Sequence, residues 1–182
     1  MKTYLTRMRA KGHCPPRKPF KKILWSWLGA FIGILLVAYL GEILRYDNQS
    51  MLLLIGSFGA SAVLIYGAPL AEFSQPRNVI GGHVFSAFVG VSVYLLIPSF
   101  PMFASALAVS LSIVMMQITR TLHPPGGATA LIAVIGPQSI HQLGYFYVIS
   151  PVLIGSLLLL FVALFVNNMS RNPKRHYPVY WL

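Results

Sequence analysis

Five stretches of this chain stay apolar for about the length that crosses a bilayer, roughly 20 residues. They run from Ile23 to Leu44, Met51 to Leu70, Val79 to Ile97, Met102 to Thr119 and Tyr145 to Val166. A sixth, His123 to Ile140, is equally apolar but is broken by Pro and Gly. With 56% of the 182 residues apolar and only 9% charged, the chain has too little polar surface for one water-soluble core. A transmembrane β-barrel would alternate apolar and polar residues over segments of about ten, whereas these runs are continuous. The expected fold is therefore all-α, a polytopic transmembrane helical bundle.

Fourteen Lys and Arg face only Glu42, Asp47 and Glu72, for a formal charge of +11. In a soluble chain such an excess would suggest nucleic acid. Here the basic residues crowd the ends, with Lys2, Arg7, Arg9, Lys11, Arg17, Lys18, Lys21 and Lys22 before the first span and Arg171, Lys174 and Arg175 after the last. That pattern is a topology signal, and nucleic acid is not an expected partner. Membrane lipids are, since the cluster from Arg17 to Lys22 can also meet anionic headgroups. The single cysteine, Cys14, can form no intrachain disulfide. No small-residue cleavage signal follows the first apolar run, which reads as a retained helix.

The same charges count the spans, because Lys and Arg of short loops gather on the cytoplasmic side. With five crossings the basic tail would lie outside. With six, both termini are cytoplasmic, Arg77 and Arg120 join them, and only Arg45 lies outside, beside Asp47. A weak internal repeat agrees: Gly59-Ala60-Ser61-Ala62-Val63-Leu64 resembles Gly127-Ala128-Thr129-Ala130-Leu131-Ile132, and Pro69 matches Pro137 at the same offset. The expected organisation is a basic N-terminal segment (1–22), a transmembrane domain (23–166) built as two halves (23–97 and 102–166), and a basic tail (167–182). Each half holds three spans, so the second is inverted. Inverted halves with Gly or Pro-interrupted helices at matching places point to a transporter with its site near the midplane. The blander reading is that small residues look alike in any apolar helix.

The most unusual run is Arg120-Thr121-Leu122-His123-Pro124-Pro125-Gly126-Gly127-Ala128-Thr129. Two prolines cannot continue an incoming helix but can open the next. The backbone N–H groups of Gly126, Gly127 and Ala128 are expected to be free and to attract an anion, with Arg120 and His123 close by. The alternative is a break that only ends one helix and starts another. In the first half Gly56-Ser57-Phe58-Gly59-Ala60-Ser61 is the matching element, supplying small residues and two hydroxyls for close packing, backbone presentation or both. Gly29 and Gly33 form a GxxxG pair read as packing, and such faces make self-association plausible. A third cluster, Gln75-Pro76-Arg77-Asn78-Val79-Ile80-Gly81-Gly82-His83, puts a histidine inside the third apolar run. His83 either rests satisfied near the interface or lines an access path.

Three carboxylates, no HExxH or Cys/His spacing and no phosphate loop leave an enzyme the weaker class, with no metal or cofactor expected. The scarcity of intramembrane Asp and Glu also disfavours a cation pathway. Together the block from Gly56 to Ala62, the run from Gln75 to His83 and the run from Thr119 to Leu131 resemble the HPP family of integral membrane proteins, over nearly the whole chain from Ile23 to Val166. The family takes its name from the motif present here as His123-Pro124-Pro125. Plastid and cyanobacterial members are described as nitrite transporters, so the resemblance implies a nitrite-like small inorganic anion as substrate. Family descriptions often give four transmembrane segments against the six counted here. With no transit peptide evident before Lys21, a bacterial inner membrane is expected over a plastid envelope.

The substrate-binding residues expected from these readings are Arg120, His123, Pro124, Pro125, Gly126, Gly127 and Thr129 from the second half, with Ser57, Gly59, Ser61, Arg77, Asn78 and His83 from the first. The rival function is a non-transporting scaffold or regulatory subunit in which the motif is a packing break. The topology is testable with one thiol. In a Cys14→Ser background, Ser170→Cys should resist an impermeant thiol reagent in intact cells and react after lysis. Labelling of intact cells would overturn the cytoplasmic placement of the tail.

Overall fold

A computed structural model describes residues 7–8, 12–43, 54–169 and 176–182, and these form a bundle of seven α-helices. They are α1 (Phe20–Ile43), α2 (Gly56–Gly67), α3 (Pro76–Leu96), α4 (Pro101–Ile118), α5 (Pro125–Ile135), α6 (Gln138–Leu143) and α7 (Ile154–Asn168). A 3-10 turn at Glu72–Ser74 leads into α3, and a π-type segment, Val148–Leu153, leads into α7. Within it Ser150 is extended (φ −133°, ψ 122°), so the chain kinks there. The sequence-based placements of Lys2, Arg9, Lys11, Arg45, Asp47, Arg171, Lys174 and Arg175, and of the first residues of the second span from Met51, lie outside the described residues.

Four helices are long and apolar enough to cross a membrane: α1, α3, α4 and the closing helix Val148–Asn168. The other two expected spans contain short helices instead. At 12 and 11 residues, α2 and α5 reach about 18 and 16 Å at 1.5 Å per residue, well under a hydrocarbon core of roughly 30 Å. Pro124-Pro125 sets the start of α5 and Gly136-Pro137 its end, while Ala68-Pro69 ends α2. The order long, short, long thus recurs in each half, and among the described residues the helices of membrane-crossing length number four. Proline opens α3, α4 and α5 at the first helical position, where a missing N–H costs nothing.

Half of the apolar window of α3 and of the closing helix is buried, against 17% in α1 and 22% in α4, so the first pair forms the centre and the second the lipid-facing flanks. Trp27, Phe31 and Leu35 of α1 and Met102 and Phe103 of α4 stand exposed, as lipid contact requires. Small residues set the close approaches. On α1 the buried stripe is Gly29, Gly33, Val37 and Gly41, and on α4 it is Ala104, Ala108, Ser112 and Met116. The GxxxG pair packs as expected: the ring of Tyr66 from α2 fills the groove over Gly29 and Gly33, and its hydroxyl donates to Leu159 O at 2.9 Å.

Contacts fix the directions. Ser26 Oγ donates to Tyr66 O (2.8 Å), Lys18 Nζ donates to Gly67 O, and Asn167 Nδ2 donates to Ile65 O (3.1 Å). The start of α1, the end of α2 and the end of α7 therefore share one face of the bundle. The 3-10 turn and the C-terminal segment join it, since Tyr177 Oη donates to Ser74 O at 2.8 Å. Gly82 lies against His123 and Gly90 against Ala130 and Ala133, so α5 runs parallel to α3 and away from that face. A methyl at Gly33 would collide with the Tyr66 hydroxyl, whereas Gly59 meets open space. Gly33→Ala should cost about 1–3 kcal/mol of stability, typical of overpacking, read as a lower unfolding temperature in detergent. Gly59→Ala should leave that temperature unchanged or slightly higher.

Candidate functional site

The two short helices run antiparallel and meet α3 at a cluster of side chains that are all buried: Ser57, Ser61, His83, His123 and Thr129. His83 comes from the second turn of α3, Ser57 and Ser61 from one face of α2, and Thr129 from α5. His123 comes from the link between α4 and α5. The five form one hydrogen-bonded chain. His123 Nδ1 lies 2.6 Å from Phe73 O, Ser61 Oγ lies 2.9 Å from His123 Nε2 and 2.7 Å from His83 Nε2, and His83 Nδ1 lies 2.7 Å from Thr129 Oγ1. Thr129 Oγ1 is in turn 2.9 Å from Ser57 Oγ.

Hydrogen-bond logic assigns the tautomers. A carbonyl only accepts, so His123 carries a hydrogen on Nδ1. Thr129 donates to Ser57 Oγ, so His83 Nδ1–H donates to Thr129 and His83 Nε2 accepts from the Ser61 hydroxyl. With its hydrogen spent on His83, Ser61 has none for His123 Nε2, 2.9 Å away. Ser61 and Thr129, the positions matched in the sequence repeat, thus hold the two nitrogens of one imidazole. Tyr147 Oη steadies α5 by donating to Thr129 O at 3.1 Å. The Phe58 and His123 rings contact His83 edge-on, with centroids at 5.4 and 4.9 Å. Among the described residues no third metal-type ligand joins the two imidazoles.

The remaining expected site residues divide between the face and the outside of the bundle. At the face, Arg77 Nη2 donates to Thr119 O (2.9 Å) and Asn78 Nδ2 donates to Leu122 O (3.0 Å), tying the link that carries His123 to α3. Arg120 is exposed there, two residues short of the buried cluster, and stands in left-handed conformation at φ 58°. Arg120 N–H donates to Gln117 O and Thr121 N–H to Met116 O, the reversed pair of bonds that closes a helix end where glycine is usual. Pro124 is exposed, Pro125 buried, and Gly59 faces outward, away from Ser57 and Ser61.

Of the three N–H groups expected to be free, those of Gly126 and Gly127 are bonded. Pro124 is already helical (φ −50°, ψ −38°), so the chain winds early and Gly126 N–H reaches His123 O at 2.8 Å while Gly127 N–H reaches Pro124 O at 3.1 Å. Nor does Gly127 shield the cluster, since it faces Val109 with room to spare. Gly126 is the tight position, where an added methyl would sit 2.6 Å from Gly82 O and 2.7 Å from Ser86 Oγ.

Sequence reasoning missed several participants. Ser86 is fully buried and its hydroxyl has no hydrogen-bond partner among the described residues. Phe73 contributes only a carbonyl, which no side-chain pattern reveals. The C-terminal segment, read as a basic tail, docks on the face: Val179 N–H donates to Gln75 Oε1 (2.8 Å) and Tyr180 Oη to Asn78 Oδ1 (3.1 Å). Burial lifts the Tyr180 hydroxyl above its usual range, Glu72 adding to the effect and Arg77 and Arg120 opposing it. The aromatic run from Tyr177 to Trp181 was the available signal. Nitrogen-15 NMR of labelled histidine should find both His123 and His83 protonated at Nδ1. A hydrogen on Nε2 alone at either ring would contradict the direction of the chain.

The family described as "HPP, transmembrane region" matches residues 15–178 of this chain. Two Dictyostelium discoideum proteins, each named only as a transmembrane protein, are similar to it. One is 48% identical over 175 residues, covering 94% of this chain and 60% of the relative, and the other 46% identical over 181 residues, covering 98% and 57%. The chain therefore spans less than two thirds of the length of these curated relatives. No solved structure matches it significantly. With a family match across almost all of its length and relatives near half identity, the chain belongs to the HPP family of integral membrane proteins.

Proposed function

We propose that the protein is a transporter of a small inorganic anion, with nitrite as the substrate its family resemblance favours. The observation that carries this reading is the antiparallel meeting of α2 and α5, two helices too short to cross, at a buried polar cluster in the middle of four membrane-length helices. Interrupted helices that meet near the midplane are where secondary transporters hold their substrates. The two halves are then related by inversion, the chain passes the membrane six times with non-helical backbone completing the two short passages, and both ends lie in the cytoplasm. The curated relatives that it matches come from Dictyostelium discoideum.

In this reading Arg77 and Arg120 attract the anion to the cytoplasmic mouth, and Asn78 lies just inside them. The hydroxyls of Ser57, Ser61 and Thr129 and the imidazoles of His83 and His123 receive it by exchanging bonds they now make with one another. Ser86, whose hydroxyl stands beside Gly126 without a partner among the described residues, is an additional donor. Pro124, Pro125, Gly126 and Gly127 act by placing α5, and Gly59 by leaving the outer side of α2 open. Nitrite uptake into proteoliposomes tests the function directly: the protein should raise initial uptake several-fold over protein-free vesicles. Uptake equal to that of protein-free vesicles would favour the scaffold reading.

Arg120 separates function from structure more sharply than any other residue. A non-glycine residue held in left-handed conformation costs of the order of 1–3 kcal/mol, so Arg120→Gly should stabilise the fold by about 1 kcal/mol. If the guanidinium draws in the anion, the same substitution should lower nitrite uptake several-fold, most strongly at low ionic strength. A variant that is more stable and transports at the full rate would remove Arg120 from the site.

A further inference from the structure

We propose that the Ser57–Thr129–His83–Ser61–His123 chain carries one proton, and that this proton enters with each anion, making transport an electroneutral proton–anion symport. The inference rests on the transport reading above and adds its coupling ion. Its first support is geometric. Four consecutive contacts between 2.7 and 2.9 Å join five side chains that can each give and take a hydrogen, and at the far end His123 is held by a carbonyl. Thr129 donates to Ser57, His83 Nδ1–H to Thr129 and Ser61 to His83 Nε2, so the contact left without a hydrogen is the one from Ser61 Oγ to His123 Nε2.

One proton on His123 Nε2 supplies that hydrogen. The imidazolium then donates from Nε2 to Ser61 and from Nδ1 to Phe73 O, and each contact in the chain carries one hydrogen. No other bond changes, and no other group gains or loses a hydrogen. The Phe73 carbonyl can accept a hydrogen bond but cannot pass a proton on. His123 therefore holds the charge until its contact with Phe73 opens.

The second support is electrostatic. The groups facing the two imidazoles are Ser57, Ser61 and Phe58 from α2, Thr129 from α5, the Phe73 carbonyl from the 3-10 turn and, one bond removed, Tyr147. The titratable groups in this set are the two histidines and that tyrosine. The nearest permanent cations the sequence offers, Arg77 and Arg120, lie at the face. An anion brought into the cluster without a counter-charge would meet a large desolvation cost. A proton on the histidine pair supplies that charge, and the pair of ions crosses as a neutral unit.

Wild-type protein in proteoliposomes tests this with imposed gradients, initial nitrite uptake being corrected for protein-free vesicles. A pH gradient of one unit, alkaline inside, should raise initial uptake several-fold, and a potential set with potassium and valinomycin should leave it unchanged. In His83→Gln and His123→Gln, checked for assembly by size exclusion, the ratio of uptake with and without the pH gradient should fall to one at whatever flux remains. Wild-type uptake that follows the potential and ignores the pH gradient overturns the coupling and leaves transport standing. No protein-dependent uptake under any gradient overturns transport and the coupling with it.

Discussion

In a bundle this thin, any polar side chain that turns inward must find its partners inside, because the lipid around it offers none. His83 sets that requirement for the whole molecule. Fully buried in the second turn of α3, it takes one hydroxyl from α2 and one from α5, and so fixes where both short helices lie. The glycines make the approach possible. Side chains at Gly82, Gly90 and Gly126 would run into backbone atoms of α5, its preceding link or α3, and any of them would push the hydroxyl of Thr129 out of reach of the imidazole. Polar satisfaction and close packing are here a single condition.

The same economy governs the face that carries the chain ends. The link from Thr119 to His123 makes no helix of its own, yet Arg77 and Asn78 hold its carbonyls at Thr119 and Leu122. Asn78 spends its other amide atom on Tyr180, and Gln75 beside it is held by Val179 and donates to Pro69 O and Ala71 O. The C-terminal segment and the link that positions His123 are therefore fastened to the same first turn of α3. A disturbance at Tyr180 reaches the imidazole through Asn78 and Leu122, which gives the aromatic run from Tyr177 to Trp181, with Tyr177 itself buried, a part in placing the site.

The sequence revealed the membrane class, the four long helices to within a few residues, and the cluster's members His83, His123, Ser57, Ser61 and Thr129. Apolar run length and the repeat sufficed for these, because both are properties of composition along the chain. It did not reveal that α2 and α5 are half-length, since apolar composition continues past their ends and only the prolines mark one of them clearly. The supposed free N–H groups failed for a local reason: Pro124 adopts helical angles itself and brings His123 and Pro124 carbonyls within reach. Gly126 and Gly127 are indistinguishable in the sequence, yet one is clamped between Gly82 and Ser86 and the other has room for an ordinary contact with Val109. Backbone partners such as Phe73 O leave no trace in side-chain patterns.

Histidine, rather than lysine or arginine, is the basic residue that this interior can tolerate. A permanent cation buried among Phe58, Ser61 and Thr129 would cost several kcal/mol in every state of the protein. A neutral imidazole costs little once both nitrogens are bonded, and the two hydroxyls matched by the repeat complete the bonds of His83. The bonds of His83 are thus made within the bundle, and the network gives nothing to an anion until those bonds exchange. Among the described residues the buried hydroxyls of Ser86 and Ser139 have no bond to exchange, at a cost of about 1–3 kcal/mol for a group of this kind. Ser86 is the one beside Gly126 at the start of α5, so an unsatisfied hydroxyl stands where a substrate held between the short helices would gain a bond by arriving.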